Sequence, residues 1–166
     1  MQNYFELLKI DAAFNLDAGA LQQAYIRAQQ QCHPDRMVGK SEAERAKAMQ
    51  LTMDVNQAYE TLKSPRRRAE HLLALQGIRV NQDDKDAIRP DQSLLMEVMA
   101  WQEAIAEGET DTLLPELEAQ LQLNEATIAE HLEVGAYQDA AQATIRQRYL
   151  EKSFNDANHA KPQLRA

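Results

Sequence analysis

The sequence predicts an all-α fold in two helical units, and three observations predict it. Apolar residues recur at three- and four-residue steps through most of the chain, as on one face of a helix. No segment of convincing length alternates with the two-residue period of a strand. With five glycines and five prolines in 166 residues, 44% hydrophobic and 27% charged, the composition is that of a soluble, helix-rich globular protein. The expected architecture is an antiparallel helical hairpin with short flanking helices over 1–76, a connector over 77–90, and a three-helix bundle over 91–166.

A short first helix is expected around Asn3 to Leu8, offering Tyr4, Phe5, Leu7 and Leu8 to the core. Asp17 is a good N-cap for a second helix running to about Cys32, where Pro34 stops it, because proline lacks an N–H and its ring clashes with the preceding turn. Ser41 and Glu44 form the Ser-x-x-Glu pattern of a capping box and open a third helix to about Lys63. Its residues Leu51, Val55, Ala58, Tyr59 and Leu62 share one face, so the second and third helices should pair antiparallel. Ser64-Pro65 separates them from a fourth helix that ends at Gly77. Residues 78–91 are polar and aperiodic, which reads as a connector.

Three further helices follow, about 91–107, 111–134 and 137–153, joined by short links at Gly108 and Gly135; such a series makes a small antiparallel bundle. Leu114, Leu117, Leu121, Ile128 and Leu132 form a stripe in the middle one, and Tyr137, Ala141, Ile145 and Tyr149 recur every four residues in the last. The polar tail from Asn155 is expected to fray.

Charge divides unevenly. Residues 1–76 carry ten Lys/Arg against nine Asp/Glu, and 77–166 carry eight against seventeen, so the net charge of −8 is +1 in one half and −9 in the other. An acidic chain of this kind argues against a nucleic-acid partner, since phosphates demand a basic surface. No apolar run approaches the ~20 residues of a membrane span, and the opening MQNYFELLKID is not a secretory signal, so a cytoplasmic location with no membrane partner is expected. Cys32 is the single cysteine, which excludes an intrachain disulfide. It continues the stripe Leu21, Ala24, Tyr25, Ala28 and so reads as core, and with no second ligand pair beside Cys32, His33 and Asp35 no metal site is expected.

His33-Pro34-Asp35 therefore occupies an exposed tip between two paired helices, an imidazole and a carboxylate held together by a stiff backbone. An isolated tripeptide of this kind is an ordinary helix-ending turn. Its setting is more specific. YFELL at the start, LQQAYIRAQQQCHPDR through the second helix and NQAYETLKSPRRRA at the end of the third resemble a J domain over residues 4–69. The resemblance implies that the tripeptide and the exposed face of the second helix dock onto a DnaK-type ATPase and accelerate its ATP hydrolysis. Asp35 would then pair with a cation on the ATPase, His33 would orient the loop, and Pro34 would lower the cost of ordering it. Arg27 and Arg36 would face an acidic patch; the competing reading for both is a solvated surface. Gln22, Gln23, Ile26, Gln29 and Gln30 stand where J domains usually carry several lysines and arginines, so steering should be weaker and the ATPase a specialised one.

The second part adds to this. AEHLLALQGI, SLLMEVMAWQEAI and AAQATIRQRYLEK resemble the HscB type of co-chaperone from iron-sulfur cluster assembly. The resemblance implies a C-terminal bundle that binds the scaffold protein IscU and presents it to the specialised ATPase HscA, without a cofactor. From the residues themselves, Leu94, Val98, Trp101 and Ile105 suffice to cover a bundle core, while Leu95, Met96 and Met99 widen the apolar arc beyond it, with Glu103 and Glu107 continuing the row. A flexible thioether adapts to an incoming surface, although a broad core face accounts for the same periodicity. The family pattern assigns scaffold binding to Leu95, Met96, Met99, Glu103, Glu107 and Tyr149; Ala100 stands where the family tends to have an acidic residue.

Three functions fit these features: a co-chaperone with two docking surfaces, a generic J-domain protein recruiting other clients, and an enzyme using His33 and Asp35 as acid and base. The last is disfavoured, because an exposed tip offers neither a dry pocket nor supporting groups.

Overall fold

The computed structural model describes residues 1–164, with side chains through Ala160. Seven α-helices and one 3₁₀ turn make up the described residues: α1 (Tyr4–Leu7), α2 (Ala18–Gln31), the turn Pro34–Met37, α3 (Glu42–Lys63), α4 (Pro65–Leu75), α5 (Gln92–Ala106), α6 (Thr110–Glu133) and α7 (Tyr137–Leu164). They divide into two compact units, residues 1–75 and 76–166.

In the first unit the helix starts follow the local chemistry of the sequence. Asn3 caps α1 by accepting from the backbone N–H of Phe5 and Glu6, and Asp17 caps α2 by accepting from that of Ala20. At α3 the capping box is complete: Ser41 Oγ accepts the Glu44 N–H at 3.2 Å and Glu44 Oε2 accepts the Ser41 N–H at 3.0 Å. That backbone hydrogen bond, first among the causes, holds the Glu44 carboxyl below its usual pKa. The core gathers Phe5, Leu8, Leu21, Ala24, Val55, Ala58 and Leu62, all buried, with Leu51 and Tyr59 packed half-buried against it.

Two polar residues of α4 complete this core. The buried Arg68 donates to the carbonyl of Leu62 at 2.9 Å and to that of Phe14, so one guanidinium pins the 8–17 loop against the α3–α4 corner. His71 accepts the Tyr4 N–H on Nε2 at 3.1 Å, with the Tyr4 ring stacked on the imidazole at 4.4 Å, which ties α1 to α4. Burial pushes the His71 pKa down, as the accepting nitrogen requires.

The second unit begins earlier than a free connector allows. Residues 77–90 form no helix, yet Val80 and Ala87 are buried, the Ile88 N–H donates to Arg79 O at 2.9 Å, and Arg148 of α7 donates to Val80 O at 2.8 Å. The expected connector is thus built onto the second unit. The expected fray of the tail, Asn155 to Ala166, is also corrected as far as Leu164, because α7 continues to that residue and Ala157 is fully buried; residues 165 and 166 lie outside the described residues. α6 packs on α7, whose buried residues include the small Ala140, Ala141 and Thr144, while Leu117 and Ile128 are buried on α6. Between the two helices, Asn124 Nδ2 donates to Ala143 O at 2.8 Å and to Gln147 Oε1 at 2.7 Å, so this buried amide is hydrogen-bonded.

Candidate functional site

The tip of the first unit is built by its backbone. His33 is extended (φ −61°, ψ 139°) and caps the 3₁₀ turn, Pro34 takes the first turn position, and the Arg36 N–H closes the turn on His33 O at 2.9 Å. His33 Nδ1 accepts the Asp35 N–H at 3.2 Å and lies 3.4 Å from Asp35 Oδ2. A neutral imidazole with a bare Nδ1 makes the first contact, and a protonated one makes the second. Either way the imidazole organises the turn, and both side chains remain exposed.

Behind the tip, Tyr25 fastens α2 to α3. Its hydroxyl donates to Asn56 Oδ1 at 2.7 Å and accepts from Gln29 Nε2 at 2.7 Å, and its ring stacks on Tyr59 at 4.2 Å. Cys32 is buried, its thiol directed to Ala28 O at 3.4 Å, and among the described residues no cluster of His, Cys, Asp and Glu could hold a metal ion. Arg27 on α2 and Arg36 within the turn are exposed, as are Gln22, Gln23, Ile26 and Gln30 of α2. One feature escaped the sequence reading: a groove of about 470 Å³ beside Pro34, with Met37 and Val38 on the turn and Met49 and Met53 on α3. Two methionines one helical turn apart were its signal.

The second candidate surface is a helix face. Leu94 and Trp101 of α5 are buried, with Val98 and Ile105 half-buried. Leu95, Met96 and Met99 are 41%, 64% and 72% exposed, so they are surplus to the core. Glu103 and Glu107 extend the Leu95–Met99 row at four-residue steps and are exposed, as is Ala100. The other flank of α5 is held by α7: Glu97 pairs with Arg146 at 2.8 Å, the Arg146 guanidinium lies 5.8 Å from the Trp101 ring, and Gln102 donates to Asp156 at 3.3 Å. The hydrogen bond from Lys152, more than that from Gln102, keeps the Asp156 carboxyl below its usual pKa. Tyr149 is half-buried, three residues after Arg146 and seven before Asp156, which places it on the α5-facing side of α7.

Known proteins share both parts. The family model for the DnaJ domain matches residues 3–71, and that for the HSCB C-terminal oligomerisation domain matches residues 90–158. A relative from Burkholderia thailandensis, called co-chaperone protein HscB homolog, is 36% identical over 157 residues, covering 90% of this chain and 89% of its own. The chain belongs to the HscB co-chaperone family. Another family member, from Cupriavidus taiwanensis, is 34% identical and covers 95% of this chain and 93% of its own. Among solved structures, chaperone HscB from Vibrio cholerae aligns with a TM-score of 0.82 at 31% identity, covering 98% of this chain and 99% of that one. Human co-chaperone HscB, at 24% identity, shares the fold with a TM-score of 0.84, covering 97% and 83%.

Proposed function

We propose that this HscB-family protein is a co-chaperone of iron-sulfur cluster assembly, which stimulates the ATPase of a specialised DnaK-type chaperone of the HscA kind and delivers an IscU-like scaffold protein to it. The observation that carries the reading is a proline-fixed, exposed His33-Pro34-Asp35 turn on a chain whose relatives are HscB co-chaperones over nine tenths of its length. His33, Pro34, Asp35, Arg27 and Arg36 meet the ATPase; Leu95, Met96, Met99, Glu103, Glu107 and Tyr149 meet the scaffold. Asp35 supplies the charge, the imidazole and proline hold it in place before contact, and little ordering cost remains at binding. On the other surface, desolvation of the apolar row supplies affinity and the two glutamates select a basic rim. The protein acts in the cytoplasm as an activator with no catalytic site of its own.

Two measurements test this. His33→Gln abolishes stimulation of an HscA-type ATPase and leaves the helical circular dichroism unchanged; retained stimulation refutes the ATPase assignment. Purified IscU-type scaffold binds the chain, and Leu95→Ala with Met99→Ala weakens binding about tenfold or more, as expected for truncating two residues at the centre of an interface. Absent or undisturbed binding leaves a generic J-domain protein recruiting other clients.

A further inference from the structure

The groove beside the tripeptide has a sulfur-rich lining. Met37 and Val38 of the turn face Met49 and Met53 of α3 across it, and Pro34 forms part of the same wall. Met49 and Met53 are 69% and 59% exposed, so solvent reaches both side chains. They lie four residues apart on one helical face, against which the turn is seated. Three of the six methionines of the chain thus lie around the turn that carries Asp35.

We infer that the hairpin tip is a methionine modification site and an oxidation-sensitive switch, in which a peroxide-class oxidant converts Met49 and Met53 to the sulfoxide and silences ATPase activation. The inference rests on the proposal that the tripeptide end activates the ATPase. With hydrogen peroxide the thioether sulfur attacks one oxygen, the O–O bond breaks as the S–O bond forms, and the departing oxygen takes up the proton of the attacked one and leaves as water. Sulfur loses two electrons and the peroxide gains them. The product is polar, chiral and one oxygen larger than the side chain it replaces. On the wall shared with Pro34 it makes an apolar groove beside the tripeptide polar and hydrated, so an ATPase that covers this wall on docking must strip water from the sulfoxide. Cys32 lines the same groove but is only 4% exposed, with its thiol donating to Ala28 O, and is the slower target.

The test uses the full chain and an HscA-type ATPase without scaffold, so that oxidation of Met96 and Met99 does not enter the readout. The protein is treated with hydrogen peroxide, the oxygens are located by peptide mass spectrometry, and stimulation is compared before and after. Stimulation at subsaturating concentration should fall about tenfold, the effect of placing one poorly satisfied polar group in an apolar contact. The methionine sulfoxide reductases for the two sulfoxide epimers, used together and inactive on oxidised cysteine, should restore it. In Met37→Leu/Met49→Leu/Met53→Leu the ratio of treated to untreated stimulation should stay near one. Unchanged stimulation with oxygen on Met49 and Met53, or a loss that the reductases do not reverse, overturns the switch. Absence of stimulation in the untreated protein instead overturns the ATPase reading beneath it.

Discussion

In the first unit the proposed docking feature is a turn of backbone, Pro34–Met37, whereas in the second it is a row of side chains, Leu95, Met96 and Met99, on a helix whose other flank is tied to α7. The turn is prepared from behind: Tyr25, Asn56, Gln29 and Tyr59 lock α2 to α3 before any partner arrives. The row needs no such preparation, because a helix already places residues four apart on one face. Single changes at the turn should therefore act as all-or-none losses, and changes along the row should add in steps.

The largest expected effect falls on the frame of the first unit. Arg68→Ala leaves the Phe14 and Leu62 carbonyls without their buried cationic donor and should cost about 3 kcal/mol of stability; denaturant titration checks it. A cost near zero would mean that the 8–17 loop is held by its apolar contacts alone. Next, Tyr25→Phe keeps the stack on Tyr59 but removes the hydroxyl shared by Asn56 and Gln29, at about 1 kcal/mol. If the turn depends on that support, stimulation should drop with no change at the scaffold surface, and equal loss at both would erase the contrast between the two regions.

The smallest effect concerns pH. His71 is buried as the neutral form that accepts from Tyr4, and its pKa lies below the ordinary value, whereas the unfolded chain protonates at the ordinary value. Its contribution is fully present above about pH 6.5 and is lost as the pH falls toward the lower folded value. The stability difference between the native protein and His71→Gln should accordingly shrink on acidification below that pH. A difference that stays constant from neutral to mildly acidic pH would contradict the assignment.

Much of this frame was legible in the sequence because it is written in local chemistry. Asp17 and Ser41 are side chains that cap the helices they precede, and Pro34 can only follow a helix, not continue it. The surplus of Leu95, Met96 and Met99 over the α5 core was countable from the spacing. Val80 and Ala87 were missed because two anchors in a polar stretch leave no period. The end of α7 was missed because Ser153 and Ala157 bury small side chains that carry almost no hydropathy signal. Arg68 and His71 looked like surface residues by type, and only tertiary packing shows that a carbonyl pair and a backbone N–H make their burial favourable.

The proposed division of labour, one turn that activates and one row that selects, meets its most direct test in the ATPase rate of an HscA-type chaperone measured with this protein alone, with IscU-type scaffold alone, and with both. The account predicts a combined stimulation well above the sum of the separate ones, and a return to additivity in Leu95→Ala/Met99→Ala. Additive rates in the native protein would contradict it, since the two surfaces would then not serve one delivery step.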